Sequence, residues 1–546
     1  MGTILTILSG DIYARFKRAL GCDVIFSCGT DEYGSTTTVR AKKENLTCRE
    51  LCDKYGQAQK IVYDWFNIKF DAWGHTSNPE QCKITSDIFM GLYGNGFIEE
   101  KEIIQPYCNQ CSMFLADQYI KGYCYNSQCL EKSIITNGDQ CDYCQLNIDV
   151  DKLIKPYCSI CLSTPTTKAS KHLFLKLADL TESVSDYVEN KIYLNAQAMS
   201  IAKAWIKSGL KSRCITRDLS WGTAIPNECN EDSILDNKVF YVWFDAPFGY
   251  YSILANHCDN WREWLQDPDL EWTSMQGKDN IPFHTIIFPA SILGSGKSYP
   301  LITKICSTNY LLYQGQKFSK SNNIGIFGNQ IINMSSKLGI NEDYWRFYLM
   351  KIRPENNDSS FTWDEFVTSI NSDLVNNVGN FINRCISLTN KYCNNKICIV
   401  IDSELHANIA TFVKLMQEFK FKSALRFCLE LSSRGNLSLS TTKPWFGVKN
   451  NLPWFGVKNN LSTAQENISD AMAICWILLH LIYFFIPSTI GTILSGAKCD
   501  VDFVYDYDSN LDSDLANNPK INIEWINKID LPFKKLDLTE IKSLVN

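Results

Sequence analysis

The sequence lacks an apolar run long enough to cross a membrane. Its longest run, residues 473–486, is broken only by His480 and is followed at once by Pro487. These fourteen residues fall short of the ~20 that a membrane-spanning helix needs. We therefore interpret the run as a buried helix of a helical bundle and expect no membrane partner.

Positive charge is not in excess, because the formal net charge is −6. This balance argues against bulk affinity for nucleic acid, and any RNA contact would have to use a local basic face. No secretory signal is visible either, so we expect a cytoplasmic protein in a reducing compartment. The 546 residues, 45% of them hydrophobic, are enough for three or four globular domains.

Cysteine, in contrast, is abundant, and eight of the 23 cysteines fall in pairs within 54 residues. The pairs are Cys108 with Cys111, Cys124 with Cys129, Cys141 with Cys144, and Cys158 with Cys161. A two-residue gap lets one tight turn aim both sulfur atoms at one ion, and zinc prefers four tetrahedral thiolates. We predict two structural Zn²⁺ sites in an insert at residues 105–165, with a disulfide-linked module as the alternative.

We expect the four pairs to be interleaved, so that the first and last pairs share one ion and the two middle pairs share the other. Four residues stand between Cys124 and Cys129, which is the upper limit for zinc ligands, and Ser127 stands where a regular pair would place its second cysteine. The site formed by the two middle pairs is therefore the less regular one. We predict two zinc ions, or one if Cys124 and Cys129 do not act as ligands.

Residues 315–321, Gly-Gln-Lys-Phe-Ser-Lys-Ser, place Lys317 and Lys320 three apart in a segment that cannot bury itself. We expect an exposed and mobile loop. Two ammonium groups on such a loop can close on a triphosphate and neutralise the charge that develops as pyrophosphate leaves. The alternative is a solvated loop whose lysines have no special role.

The rest of the chain has the pattern of an α/β region followed by helices. A helix is predicted at 4–20, and the apolar run 23–28 ends at Gly29 before a helical pattern at 35–45. This order describes a doubly wound parallel-sheet (Rossmann-type) domain with its site at the carboxyl end of the strands. Two further strands are predicted where aromatic and β-branched residues concentrate, at 238–245 and 284–289.

Helical periodicity dominates from about residue 340 and predicts an all-α bundle. The predicted domains are 1–104 and 166–312 for the two halves of the catalytic domain, 105–165 for the zinc insert, 313–365 for the lysine loop and connecting region, 366–497 for the helical domain, and 498–546 for a C-terminal tail.

The lysine loop resembles the Lys-Met-Ser-Lys-Ser signature of class I aminoacyl-tRNA synthetases, with Phe318 in the place of methionine. Further segments resemble the methionyl-tRNA synthetases in the family's order, and the resemblance covers about residues 5–500. They are Cys-Gly-Thr-Asp-Glu-Tyr-Gly at 28–34, Cys-Ile-Thr-Arg-Asp at 214–218, Phe-Tyr-Val-Trp-Phe-Asp-Ala-Pro-Phe-Gly-Tyr at 240–250, Lys-Asp-Asn at 278–280 and Phe-His at 283–284. The short zinc insert leaves no room for the editing domain of the valine, isoleucine and leucine relatives.

The resemblance implies ATP-dependent activation of L-methionine and its transfer to tRNA(Met). Asp31 would hold the ammonium group of the amino acid, Asp279 the ribose hydroxyls of ATP, and Arg217 would close a charged rim. The side-chain pocket would comprise Trp243, Ala246, Pro247, Tyr250 and His284, and the groups for the phosphates of ATP, which enters with Mg²⁺, would be Lys317, Ser319 and Lys320. No general acid or base is needed, since the methionine carboxylate attacks the α-phosphorus directly.

For tRNA, the resemblance implies an anticodon-reading face on the helical domain. Asn380 and Arg384 lie four apart on one helix face, where they would offer hydrogen bonds to base edges. Trp445 would offer an indole for stacking on an unstacked base. The nine residues 444–452 are repeated without change at 453–461, so Trp454 is a second candidate. The sequence does not identify partners in a multisynthetase complex.

The family's other signature, a His-x-Gly-His-like turn after a first strand, would precede Ile4 and is absent from the sequence. Because the first strand of a doubly wound sheet is central, its loss is expected to open the core, and the chain from Met1 would be nearly inactive. We interpret the chain as an active enzyme with an incomplete reading frame. The alternative is a protein that binds tRNA and zinc without activating methionine.

Overall fold

The computed structural model describes residues 2–115, 117–138, 141, 143, 144, 146, 148–229, 235–318, 324–445, 457–500, 520–525 and 532–545. A mixed α/β region occupies the amino-terminal part of the chain and carries an antiparallel insert, and a mainly helical region follows.

The first half of the α/β region alternates helices with two short strands. Its elements are α1 (Gly2–Ala19), β1 (Ser27–Thr30), α2 (Ser35–Glu44), α3 (Cys48–Trp65), β2 (Ala72–His75) and α4 (Pro79–Gly94). α3 begins with a capping box formed by Thr47 and Glu50, which satisfies two of the backbone N–H groups that a helix start leaves unpaired. The helices predicted at 4–20 and 35–45 are confirmed.

The insert stands at the end of a long antiparallel ladder. Its elements are β3 (Ile98–Cys108), β4 (Met113–Phe114), β5 (Ile120–Tyr123), α5 (Ser127–Leu130), β6 (Ile135–Asn137), β7 (Ile154–Cys158) and β8 (Thr166–Leu175). β3 and β8 pair from Ile98 opposite Leu175 to Tyr107 opposite Thr166. Beyond the ladder, β5 lies between β6 and β7 in a small sheet.

The second half of the α/β region contains a parallel sheet in the order β13–β14–β9. Gly277 at the end of β13 lies opposite Thr308 at the end of β14, so the residues after both strands emerge at the same edge. The elements are α6 (Thr181–Asp186), β9 (Tyr193–Leu194), α7 (Ala196–Lys207), β10 (Arg213–Cys214), β11 (Thr216–Arg217), β12 (Val239–Phe240), α8 (Val242–Asp245), α9 (Gly249–His257), α10 (Trp261–Leu265), β13 (Thr273–Gly277), α11 (Phe288–Ser295), β14 (Lys304–Thr308), β15 (Leu311–Tyr313) and α12 (Gly328–Leu338).

The two strands predicted at 238–245 and 284–289 are wrong. Only Val239–Phe240 is extended, and α8 and α9 follow it. Residues Phe283–Ile287 form a π-helical turn that leads into α11. The aromatic and β-branched residues there are buried between helices, and this burial outweighs their preference for strands.

The parallel strands do not form one continuous sheet in the part of the chain that the structure describes. β1 pairs only with β2, and β13 forms the edge of the other sheet. The unpaired edges of β1 and β13 both face the large cavity described below, and α1 packs against β13 beside it. The predicted doubly wound architecture is therefore present as two parallel sheets with an opening between them.

The helical region is built on long helices with a continuous apolar core, as predicted. Its elements are α13 (Asp343–Lys351), β16 (Ser359–Phe361), α14 (Trp363–Ser369), α15 (Asn380–Tyr392), β17 (Lys396–Val400), α16 (Ser403–Gln417), α17 (Phe421–Thr442), α18 (Val457–Ile482), α19 (Pro487–Ser495), β18 (Ala497–Cys499), β19 (Lys520–Trp525) and α20 (Leu538–Val545). A π-helical stretch at Ile370–Gly379 joins α14 to α15. β19, in the predicted tail, pairs with both β17 and β18, a sheet that the sequence analysis missed.

A buried arginine links the two regions. Arg346 of α13 is fully buried, and its Nη2 lies 2.8 Å from Oδ2 of Asp11 on α1. It also donates to the carbonyl oxygens of Phe66 (2.9 Å) and Phe485 (3.0 Å). With Arg15, it holds the pKa of Asp11 below its ordinary value against the opposing effect of burial. The α/β and helical regions are therefore joined by a satisfied buried ion pair.

The described residues include no helix that is both long enough and apolar enough to span a membrane. α18 ends at Ile482 and its apolar side chains belong to the bundle core, which is the arrangement predicted for the run at 473–486.

Candidate active site

A cavity of about 1350 Å³ opens between the unpaired edges of β1 and β13. One face of α1, with Thr3, Thr6, Gly10, Ala14 and Lys17, forms one wall. The carboxyl ends of the strands and the loops after them supply polar groups, and α9 supplies Tyr250. The groups from the strand ends and loops include Asp31, Gln276, Lys278, Asp279, Tyr310 and Lys317.

Asp31 directly follows β1 and faces into the cavity. Its Oδ1 accepts a hydrogen bond from Thr76 Oγ1 at 3.4 Å. Water in the cavity reaches this side chain, but the surrounding protein atoms desolvate it enough to raise the pKa of the carboxyl to about 7. A carboxylate that is poorly solvated in the empty cavity is a strong partner for an incoming ammonium group.

A hydrogen-bonded chain of polar side chains lies beyond Asp31, and two of its members, Tyr250 and Gln276, line the cavity. Tyr250 Oη accepts from Gln276 Nε2 at 3.1 Å and donates to His284 Nε2 at 2.8 Å. His284 Nδ1 donates to the carbonyl oxygen of Asn280 at 2.9 Å, so the ring is neutral with its proton on Nδ1. Burial lowers the pKa of His284 to about 4, and it raises the pKa of Tyr250 to about 12. These side chains are therefore uncharged at neutral pH.

Four of the five predicted pocket residues do not line the cavity in this structure, and one of them is His284, which is buried and reaches the cavity only through its hydrogen bond to Tyr250. Trp243, on α8, stacks on Phe283 with ring centroids 4.1 Å apart, and Ala246 and Pro247 lie in the turn that follows. Arg217 is also outside the lining, with its guanidinium carbon 3.8 Å from the centroid of the Tyr241 ring. Their roles in substrate binding stay predictions.

The opposite end of the cavity carries charged groups. Asp279 lies in the turn after β13, and its two carboxylate oxygens accept from Tyr310 Oη. Lys317 Nζ lies 4.5 Å from the centroid of the Tyr310 ring, at the start of the predicted lysine loop. Ser319 and Lys320 lie outside the described residues.

The eight paired cysteines gather in the two groups of four expected from the sequence. They are Cys108, Cys111, Cys158 and Cys161 in one group, and Cys124, Cys129, Cys141 and Cys144 in the other. Sγ–Sγ distances within the groups are 3.4 Å (Cys108 to Cys161), 3.9 Å (Cys111 to Cys158), 3.7 Å (Cys124 to Cys144) and 3.9 Å (Cys129 to Cys141).

These separations fit a metal site, because a tetrahedral ion with bonds of ~2.3 Å to sulfur spaces its ligands about 3.8 Å apart. They are too long for disulfides, whose sulfur atoms are ~2 Å apart. The backbone N–H of Cys111 donates to Sγ of Cys108 at 3.3 Å, a bond that favours the thiolate form.

The predicted anticodon-reading residues form one cluster between α15 and α17. Arg384 Nη1 donates to Asn436 Oδ1 at 3.0 Å, and Asn380 Nδ2 donates to the same oxygen at 3.1 Å. The guanidinium carbon of Arg384 lies 5.6 Å from the centroid of the Trp445 ring. Asn436 was missed by the sequence analysis, since no spacing rule connects α17 to α15. Trp454 lies outside the described residues.

Comparisons with known proteins agree on one family. A family model described as "tRNA synthetases class I (M)" matches residues 1–386. The methionine–tRNA ligase of Acanthamoeba polyphaga mimivirus is 52% identical over 542 residues, which are 99% of this chain and 94% of that protein. The cytoplasmic methionine–tRNA ligase of Homo sapiens is 40% identical over 462 residues, 82% of this chain, and the match spans 50% of that longer protein.

Among solved structures, the Mycobacterium tuberculosis methionyl-tRNA synthetase bound by methionyl-adenylate superposes with a TM-score of 0.70. The superposition covers 91% of this chain and 90% of that one at 20% sequence identity. At this identity the likeness concerns the fold alone.

Proposed function

Since the chain belongs to the methionine branch of the class I tRNA synthetases, we propose that it is a methionine–tRNA ligase that uses the cavity between β1 and β13. The ligase activates L-methionine with ATP to methionyl-adenylate and transfers the methionyl group to tRNA(Met). The observation that carries the site assignment is the meeting of Asp31, Asp279 and Lys317 around one cavity. An acceptor for an ammonium group, an acceptor for hydroxyls and a cation for phosphates thus surround one space.

The amino-acid end of this cavity suits methionine. The ammonium group pairs with Asp31, and the pairing stabilises the ionised carboxylate that burial disfavours. Tyr250, held by its hydrogen bond to the neutral His284 outside the lining, presents an uncharged aromatic ring, which tolerates a polarizable thioether and offers no charge to a competing polar side chain. Trp243, Ala246 and Pro247 complete the side-chain pocket if α8 and the turn after it shift when substrate binds.

The nucleotide end supplies positioning and positive charge. Asp279 accepts hydrogen bonds from the ribose hydroxyls, Arg217 closes the rim, and the loop with Lys317, Ser319 and Lys320 closes on the phosphates. Mg²⁺ enters with ATP as part of the substrate. The methionine carboxylate attacks the α-phosphorus and pyrophosphate leaves, so rate enhancement comes from alignment and charge neutralisation rather than from proton transfer.

Each of the two cysteine groups would hold one structural Zn²⁺. All four ligand positions of each tetrahedron are supplied by protein thiolates, which leaves no position for a substrate. The role of the metal is to supply folding energy to the small sheet around β5, whose own apolar clusters are small.

The cluster of Asn380, Arg384 and Trp445 would read the anticodon of tRNA(Met). Asn380 and Arg384 both bond to Asn436, and Trp445 lies against Arg384, so the side chains are oriented before RNA arrives. The related methionine–tRNA ligases of Bos taurus, Mus musculus and Homo sapiens are named as cytoplasmic enzymes, which supports the same compartment for this chain. A protein that binds tRNA and zinc without activating methionine is less well supported, because Asp31, Asp279 and Lys317 are all retained around the cavity.

Methionine-dependent ATP–pyrophosphate exchange, measured on the purified protein, tests the proposal. Lys317→Ala and Lys320→Ala should each slow exchange by about 10²–10³ with little effect on methionine binding. Lys337→Ala, which removes an exposed lysine from the last turn of α12, is the matched control and should keep the wild-type rate. Unchanged exchange in both loop variants would refute the assignment.

A further inference from the structure

Tyr310 lies at the nucleotide end of the cavity because of the register between two parallel strands. Gly277 and Thr308 are opposite each other at the ends of β13 and β14, so Asp279 and Tyr310, each two residues further on, emerge side by side. Tyr310 Oη lies 2.6 Å from Oδ1 and 2.5 Å from Oδ2 of Asp279. One hydroxyl group is therefore within hydrogen-bond distance of both oxygens of the carboxylate.

The ring and the backbone of Tyr310 are held by charged neighbours. Lys278 Nζ lies 3.9 Å and Lys317 Nζ 4.5 Å from the ring centroid, within the range of cation–π attraction. The backbone N–H of Tyr310 donates to Asp358 Oδ1 at 3.0 Å, and the same carboxylate oxygen pairs with Lys278 at 2.9 Å. The position of Tyr310 is thus fixed at both ends, and Lys317 is held beside it.

The hydroxyl of Tyr310 acts as a donor toward Asp279. Burial and the Asp279 carboxylate raise the pKa of Tyr310 above its ordinary value, so the group keeps its proton at neutral pH. A carboxylate binds the two hydroxyls of a vicinal diol through both of its oxygens at once. Tyr310 Oη contacts both oxygens of Asp279 and therefore occupies the position that the two hydroxyls of a diol would take.

We propose that Tyr310 is a positioning residue that competes with the nucleotide for Asp279 and holds Lys317 beside the same place. Without nucleotide, its hydroxyl donates to Asp279 in the place of the vicinal diol of a ribose. Nucleotide binding exchanges the one tyrosyl hydroxyl for the two ribose hydroxyls, while the ring keeps the first lysine of the loop near the phosphates. The inference rests on the proposed function, because it takes the ligand to be a ribonucleotide.

Binding of ATP, measured by calorimetry on the purified protein, tests the competition. Tyr310→Phe keeps the ring and removes the hydroxyl, so ATP should bind about three- to tenfold more tightly. 2′,3′-Dideoxy-ATP has no ribose hydroxyls to offer and should show no gain. Tyr193→Phe, at a half-exposed tyrosine on β9 outside the cavity lining, is the matched control and should leave both affinities unchanged.

Tyr310→Leu separates the two roles of the residue. It removes both hydroxyl and ring, so it should keep the gain in ATP affinity while lowering the maximal rate of pyrophosphate exchange about two- to fivefold, because Lys317 loses its cation–π partner. A side chain with a merely structural role would not move binding and rate in opposite directions.

The outcomes also separate this inference from the proposed function. Equal gains for ATP and the dideoxy analogue, or an unchanged or weaker ATP affinity in Tyr310→Phe, would overturn the competition. Wild-type protein that binds ATP but shows no methionine-dependent exchange would overturn the proposed function and leave the competition to be decided by the binding data. Wild-type protein that binds no ATP would overturn both.

Discussion

Methionine affinity should depend on pH through Asp31. Burial raises the pKa of this carboxyl to about 7, whereas the ammonium group of methionine needs the ionised form. In the empty protein about nine tenths of the molecules are ionised at pH 8 and about one tenth at pH 6. The apparent Kd for methionine should therefore be higher at pH 6 than at pH 8 by up to about tenfold, since water that reaches the exposed Asp31 side chain reduces the effect of desolvation.

The neutral side chains beside Asp31 do not contribute to the pH dependence between pH 6 and pH 8. The pKa of His284 is lowered to about 4 and that of Tyr250 is raised to about 12, so neither group changes its charge between pH 6 and pH 8. Asp31→Asn should bind methionine about ten- to a hundredfold more weakly at pH 8 and should lose the pH dependence. Equilibrium binding of labelled methionine across this range is the assay.

The raised pKa of Asp31 predicts that ionisation of this carboxyl, which favours methionine binding, lowers the stability of the folded protein. The carboxyl ionises near 3.8 in the unfolded chain but only near 7 in the empty folded protein. Its cost to stability is therefore absent below pH 3.8, grows between these two values and is constant above pH 7. Thermal melts of Asp31→Asn should coincide with wild type in acid and lie higher above pH 7. A pH-independent methionine Kd in the wild type would refute the reasoning.

Three further outcomes follow from other parts of the molecule. Arg346→Met should lower the free energy of unfolding by about 2–4 kcal/mol above pH 4 in urea titrations, because it leaves Asp11 with Arg15 as its only arginine partner and removes the guanidinium donor from two buried carbonyl oxygens; a loss below 1 kcal/mol would contradict the account. Metal analysis should find two zinc ions per chain, and chelation should expose 105–165 to protease before the helical region; zero zinc would overturn the assignment. Arg384→Ala should weaken charging of tRNA(Met) about tenfold or more without changing pyrophosphate exchange, whereas equal losses in both assays would remove the anticodon role.

The sequence predicted those features that depend on local pattern. Helix α1 and the long helices of the bundle carry an apolar periodicity over many residues, and the structure confirms them. The grouping of eight cysteines also followed from spacing, because a short gap between thiols constrains both to one side of a turn.

Errors arose where tertiary packing decides the local conformation. The run at 238–245 has the composition of a strand, but Phe244 packs on Phe240 and Phe248 inside a cluster of helices, so the chain turns helical after two extended residues. Composition also gave no sign of β19, which forms because β17 and β18 offer it two partners far away in the chain.

The sequence also could not predict how distant strands and helices align with one another. That Tyr310 meets Asp279 depends on Gly277 lying opposite Thr308, and no motif in the sequence fixes this alignment. The sharing of Asn436 by Asn380 and Arg384 likewise needs α15 and α17 to be side by side.

Aminoacylation with competing amino acids tests the central claim most directly. The purified protein is given ATP, a tRNA(Met) transcript and each of methionine, leucine, isoleucine and valine in turn, and aminoacyl-tRNA is quantified. The account predicts that methionine is attached, that the three branched amino acids are not, and that changing the CAU anticodon abolishes charging. Attachment of another amino acid in preference to methionine, or no attachment of methionine at all, would contradict it.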